Sequence, residues 1–403
     1  MSADYDVDRV RAHFPQVAGG MAFFDGPGGT QTPVPVADAI RDALVAPLSN
    51  RWRGILAGRN ADDLVLGFRS AMADFLAVDP GGVVYGRSMT QLTMDTARAL
   101  AREWGPGDEI VLTRLEHDAN VRPWVIAAER VGATVRWADP DPETGELPVS
   151  AVTDQLSDRT RLVAITAASN LIGTMPDLPA IAAAVHEHGA LMYVDAVHYA
   201  AHELVDMEGL GADLLACSPY KFLGPHCGVL AGRPEVLQGI HPDKLLPSTE
   251  EVPERFELGT LPYEAMAGVT AAVDFLADLV PGEGSRRERL ERSYAGLHEH
   301  EDRLRVRIEE GLGDLPGEVT LWSRAARRTP TLTFTIAGRD LIEGSTFLAE
   351  RGVSAPSDAF YAHELAQVLA LGDDGGMRVG LAPYTSDADV DLLLESLTDW
   401  LRR

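Results

Sequence analysis

Along the chain the hydrophobic positions fall into two periods. Near-continuous apolar runs at Glu109 to Thr113, Thr134 to Trp137, Leu162 to Ala167, Leu191 to Val194 and Asp213 to Cys217 read as buried strands, while Val121 to Val131 and Pro176 to His188 carry apolar residues at helical spacing. Strands without polar alternation are covered on both faces, and strand and helix in alternation build a parallel sheet. The pattern predicts an α/β fold: a large domain with a mostly parallel sheet of the seven-stranded type. Gly81 to Gly86 and Val229 to Ala231 add two short strands, and Arg87 to Gln91 opens a helix running towards Trp104 that Ser88 or Thr90 can cap.

The remaining elements suggest a second unit. Helices are predicted around Val7 to Phe14, Pro35 to Val45, Ala61 to Leu76 and Tyr263 to Leu279, and a highly charged one over Ser285 to Glu310. Beyond it come strands at Val319 to Leu321, Thr331 to Ile336 and Met377 to Leu381, a helix at Glu343 to Glu350 and a last one at Ala388 to Leu401. Residues 21–280 are therefore assigned to the large domain, and 1–20 with 281–403 to a smaller α/β domain. No internal repeat is evident.

Composition narrows the function classes. With 35 Lys and Arg against 61 Asp and Glu, the net charge is −26. Nucleic acids and anionic membranes both need a basic footprint, so neither is an expected partner. No apolar run approaches the length of a transmembrane helix, the start lacks the pattern of a signal peptide, and two cysteines, Cys217 and Cys227, make no disulfide scaffold. A cytoplasmic location is the expectation.

The chemistry concentrates after the strands. In Ala216 to Leu230 a lysine, Lys221, sits in a Ser/Pro/Gly-rich turn between two buried strands. A lysine held in a pocket loses hydration, which favours the free amine that condenses with an aldehyde. Asp195 ends the preceding strand, where a carboxylate can pair with a protonated pyridine nitrogen. A helix start with hydroxyls at Ser88 and Thr90 is a ready phosphate site. Lys221 is thus read as the Schiff-base lysine of a pyridoxal-phosphate enzyme. The glycine-rich Asp25 to Thr30 suits either a tight turn or the mouth of the site.

With these residues in order, the chain resembles the class V aminotransferase family of fold-type I pyridoxal-phosphate enzymes over roughly 20 to 400, and within it the cysteine desulfurase and selenocysteine lyase branch. The resemblance implies pyridoxal 5'-phosphate as cofactor. Lys221 takes the Schiff-base position, Asp195 the partner of the pyridine nitrogen, and His198 and Asn170 the neighbours of the phenolic oxygen. His117, in Glu116 to Asn120, takes the place of the histidine stacked on the ring. Met89, Thr90 and Ser218 form the phosphate cup, Thr260 crosses to the neighbouring site of a homodimer, and Arg378 clamps the carboxylate of a small amino-acid substrate. Each also has a plain structural reading: His117 and Thr260 suit capping, His198 packing beside Tyr199, and Arg378 a surface ion pair.

Two departures stand out. The residue before the lysine is Tyr220 where the family commonly has a phosphate-binding histidine. The loop Arg351 to Ala362 places Tyr361 at about the position of the cysteine that takes up sulfur in desulfurases. A phenol accepts no sulfur by thiolate attack. The expected activity is β-elimination at a C–S bond of a cysteine-like substrate, set against epimerisation, transamination, a persulfide-forming desulfurase that uses Cys227 or Cys217, and a non-catalytic scaffold.

Overall fold

The computed structural model describes residues 5–372 and 375–403. Its strands in chain order are β1 (Ala22–Phe23), β2 (Val83–Gly86), β3 (Glu109–Thr113), β4 (Thr134–Ala138), β5 (Thr160–Thr166), β6 (Leu191–Asp195), β7 (Leu214–Cys217) and β8 (Gly228–Gly232), followed by β9 (Val319–Leu321), β10 (Thr331–Ile336), β11 (Val353–Ser354), β12 (Ser357–Asp358) and β13 (Gly376–Gly380). Seven of them form one sheet in the order β2-β8-β7-β6-β5-β3-β4. Neighbours from β4 to β7 run parallel, and β8 is antiparallel to both β7 and β2. A parallel neighbour needs a crossover of a dozen or more residues; the ten-residue Ser218 to Cys227 link is too short, so β8 returns as the reversed strand.

Side chains that alternate along these strands feed two cores. Val111, Val163, Met192, Val194 and Leu215 enter one, packed under the helix Leu56–Leu76 and the helix Tyr263–Ala277. Ile110, Leu112, Leu162, Tyr193 and Leu214 enter the other, beneath Trp124. Burial on both faces is why the strands read as continuous apolar runs. The helix Leu56–Leu76 begins before the predicted Ala61; its first turn has Leu56 exposed and Gly58 buried, so no apolar inward-facing pattern marks it.

A third core lies under the four-stranded antiparallel sheet β12-β13-β10-β9, where Leu332, Phe334, Met377 and Val379 meet Leu393, Leu397 and Trp400 of the last helix. Two segments from the start of the chain divide between cores. Val10, Phe14 and Val17 pack in the first, while Ala22 and Phe24 join the third through the parallel pairing of β1 with β11. The helix Arg286–Gly313 links the two regions, opened by a reciprocal capping box between Ser285 and Glu288. Among the described residues no helix is long and apolar enough to cross a membrane.

Candidate active site

In the seven-stranded sheet β2, β3, β5, β6 and β7 all point the same way, so the residues just past their carboxyl ends share one edge. Ser88 to Thr90, His117, Asn170, Asp195 with His198, and Ser218 to Lys221 come from those five strand ends and line a single cavity of about 300 Å³. The opposite wall comes from the C-terminal region: Asp358, Phe360, Tyr361 and Arg378, with Asp25 to Gly28 completing the rim. Of the residues expected from sequence, all but Thr260 face this cavity.

Burial sets the charge states. Lys221 is pushed down to about 7, first by desolvation and then by the nearby Arg378 charge, against the opposing pull of Asp25 and Asp195. Its ammonium nitrogen donates to the carbonyls of Pro27 and Gly28, the latter at 3.0 Å, and sits 4.8 Å from the Tyr220 ring centroid. Burial raises Asp195 to about 6, opposed by the Val197 N–H and by Lys221. His117 falls to about 4 through burial and then the charge of Lys221; His198 is driven well below its usual value by burial and then His202. Both histidines are neutral near pH 7.

Local hydrogen bonds fix each group. His117 Nδ1 accepts the Ala119 N–H at 3.0 Å, so this histidine caps a short turn and faces the cavity as well. His198 Nε2 lies 2.9 and 3.0 Å from the hydroxyls of Thr329 and Thr331. Ser88 caps the helix Met89–Leu100 by accepting the Gln91 N–H, and Met89 and Thr90 of its first turn line the cavity. Arg378, 1% exposed, is no surface residue: it donates to Asp25 Oδ1 at 2.7 Å and to the Asn170 carbonyl at 3.0 Å, with its guanidinium 3.6 Å from the Phe360 ring centroid.

The loop that carries Tyr361 has an unusual backbone. Phe360 and Tyr361 have φ of 50° and 59°, a left-handed region that bulky residues avoid at a cost of about 1–3 kcal/mol each. Two hydrogen bonds hold them there: Asn170 Nδ2 donates to the Phe360 carbonyl at 2.9 Å, and the Asp118 N–H donates to that of Tyr361 at 2.8 Å. Tyr361 stacks on His117 with centroids 5.4 Å apart and planes 23° from parallel.

Neither cysteine lines the cavity. Burial pushes the Cys227 thiol up to about 12 and that of Cys217 higher still. Thr260 lies instead in a separate surface groove of about 1110 Å³ that it shares with Ser88, Thr90, His226 and Leu258. Sequence reading passed over four residues: Glu116, Asp358, Phe360 and Asp25. Glu116, raised by burial to about 8, accepts from Thr113, Thr166 and Asn120 and so ties the ends of β3 and β5 together. Asp358 and Phe360 were missed because a loop has no period; Asp25 stood in a noted glycine-rich stretch, and an acid ahead of such a loop was the available signal.

This geometry has known counterparts. The family model "Aminotransferase class-V" matches residues 22–393. An uncharacterized protein of Mycobacterium tuberculosis is 34% identical over 396 residues, 98% of each chain. A cysteine desulfurase of Dickeya dadantii is 29% identical, covering 98% of this chain and 96% of its own. Among solved structures, the cysteine desulfurase CsdA of Escherichia coli superposes with a TM-score of 0.87 at 25% identity, covering 99% of both chains. The chain belongs to the aminotransferase class V family.

As a class V protein it is a pyridoxal-phosphate-dependent enzyme, and the cavity fits that cofactor. Lys221 offers an amine that is partly unprotonated at neutral pH. Asp195 is buried with, among the described residues, no ion pair, so a cationic ring nitrogen is the partner it lacks. Asn170 Oδ1 and His198 Nδ1 are buried without a partner. Gly228 passes so close that a Cβ there would stand 2.3–2.4 Å from the backbone of Ser88 and Met89 at the helix start.

Proposed function

We propose that this class V enzyme is a cysteine-desulfurase-like lyase that breaks the C–S bond of a cysteine-like L-amino acid by β-elimination. The observation that carries the choice of elimination is the set of side chains around the cavity: a base, an acid and an arginine, but no thiol. The similarity to desulfurases from Dickeya dadantii and Escherichia coli supports a sulfur amino acid as substrate.

Pyridoxal phosphate, when bound, supplies an electron sink for the pair released at the substrate's α-carbon. Lys221 would hold the cofactor and Asp195 its ring nitrogen. His198 and Asn170 would flank its phenolic oxygen, with Met89, Thr90, Ser218 and Tyr220 around the phosphate. Arg378 would bind the substrate carboxylate and orient the α-hydrogen towards Lys221. With a value near 7, Lys221 takes that proton as a base at neutral pH and gives it back as an acid. The C–S bond then breaks with its electron pair leaving on sulfur, so no protein nucleophile is consumed. His117, neutral and capped by Tyr361, gives a flat lid over the site.

We also read the chain as a homodimer. The groove holding Thr260 opens onto Ser88 and Thr90, which face the cavity too, so a second copy seated there would bring its own Thr260 to the phosphate cup.

The experiment is a visible absorption spectrum of cofactor-reconstituted protein with L-cysteine, followed by product analysis. Expected are a band that borohydride fixes onto Lys221, then sulfide, ammonia and pyruvate in equal amounts. Alanine with sulfur left on the protein would point to the persulfide route. D-cysteine would point to epimerisation, and a sulfur-bearing 2-oxo acid to transamination. Absence of any band would leave a scaffold.

A further inference from the structure

Resting on the amino-acid reading above, we propose that Asp358 makes the site selective by charge: it admits substrates whose side chain is neutral or cationic and rejects those bringing a second carboxylate. Three acids line the cavity, Asp25, Asp195 and Asp358, against two cations, Lys221 and Arg378. Lys221 is committed to the cofactor. The residues that would hold the cofactor's phosphate, Met89, Thr90, Ser218 and Tyr220, include no charged side chain. Arg378 is left as the single fixed cation for a substrate, because His117 and His198 are held neutral by burial.

That arginine is already engaged. Asp25 accepts from it at 2.7 Å, and its other terminal nitrogen is spent on the Asn170 carbonyl. The α-carboxylate uses what donor capacity remains. Asp358 lines the same wall as an exposed carboxylate that makes no ion pair among the described residues, although its charge acts on Arg378; its Oδ1 accepts the adjoining Ala359 N–H at 2.7 Å. Its position is fixed from behind, since Gly375 approaches so closely that a Cβ there would lie 2.1–2.2 Å from the Asp358 carbonyl group. β12 and β13 pair Asp358 with Gly376, two residues before Arg378. A substrate carboxylate beyond the one held by Arg378 would therefore meet a cavity in which acids outnumber cations, and a like charge is repelled there even though Asp358 is exposed to solvent.

The test compares neutral and anionic partners: L-asparagine against L-aspartate, of nearly equal shape, and L-cysteine against the larger L-cysteine sulfinate, each titrated against the absorption band of the reconstituted protein near neutral pH, with L-alanine as reference. The neutral member of each pair is expected to bind about tenfold more tightly or better. Asp358→Asn, which keeps the hydrogen bond to Ala359, and Asp358→Ala should both shrink that ratio about fivefold or more. Equal affinities within pairs overturn the proposal, as does a ratio unchanged in both variants. If alanine perturbs the band and no member of either pair does, size rather than charge selects and the proposal falls alone. If no amino acid perturbs the band, the amino-acid reading falls and takes the proposal with it.

Discussion

The floor and the roof of the cavity are built on opposite principles. Asp195, Lys221, His117 and Asn170 stand at the ends of strands whose side chains are buried on both faces, so their positions follow from a packed sheet. The roof, Asp358 to Tyr361, is a loop in an unfavourable backbone conformation held by two hydrogen bonds from the floor. A rigid floor suits groups whose chemistry every class V substrate needs. A latched loop suits groups that choose among substrates, because it can change without disturbing the sheet.

If that division is right, floor substitutions should remove the reaction and roof substitutions should redirect it. Lys221→Ala is expected to lower turnover by about 10⁴-fold or more and to abolish the borohydride-fixed band. The same lysine gives a pH test. Its value is depressed to about 7, so the amine is protonated below that pH and free above it. Capture of cofactor by the apo-protein should accelerate as pH rises through about 7 and level off one to two units higher; a rate independent of pH across that window would remove the lysine's lowered basicity from the account. Asp195→Asn keeps the shape and loses the charge, and about 10²–10³ in kcat is expected, read by steady-state kinetics.

Between floor and roof stands Arg378, fixed by Asn170 below and Phe360 above. Arg378→Lys keeps one charge but loses the planar fork, so kcat/KM should drop about 10- to 100-fold, mostly through KM. A fall confined to kcat would place the arginine in the chemistry instead of in carboxylate binding. Tyr361→Cys tests the roof directly. It puts a thiol where the wild-type chain has a phenol, and mass spectrometry after turnover with L-cysteine should find an added sulfur atom on the variant and none on wild type. Added sulfur on the wild-type chain would break the elimination reading.

The same contrast explains what could be read from the sequence. Lys221, Asp195 and Asn170 were legible because continuous apolar runs mark buried strands, and polar residues just past such runs are where a parallel sheet gathers its site, whereas His117 came through family resemblance. The seven-stranded sheet followed from the same runs, and β8 took its reversed direction from a link too short for a crossover. Arg378 was found through family resemblance, but its partner Asp25 lies 353 residues away, joined to it by a β-bridge between Asp25 and Gly380 that no local pattern encodes. Asp358 and Phe360 were invisible for the same reason: their roles depend on where a non-periodic loop lands.

The smallest expected effect bears on the latch itself. Asn170 Nδ2 to the Phe360 carbonyl is one hydrogen bond, worth about 0.5–1.5 kcal/mol, and it opposes the backbone strain stored at Phe360 and Tyr361. Removing it in Asn170→Ala should let the loop open more often without unfolding the sheet. Hydrogen exchange at the amides of 358–362, measured in protein without cofactor, should therefore quicken about two- to tenfold, while amides of β5 and β6 keep their protection. Measuring without cofactor separates the latch from any part Asn170 plays in holding the phenolic oxygen. Unchanged exchange in the loop would mean that the Asp118 N–H alone holds it, and the floor would then fix the roof through the His117 turn instead of through Asn170.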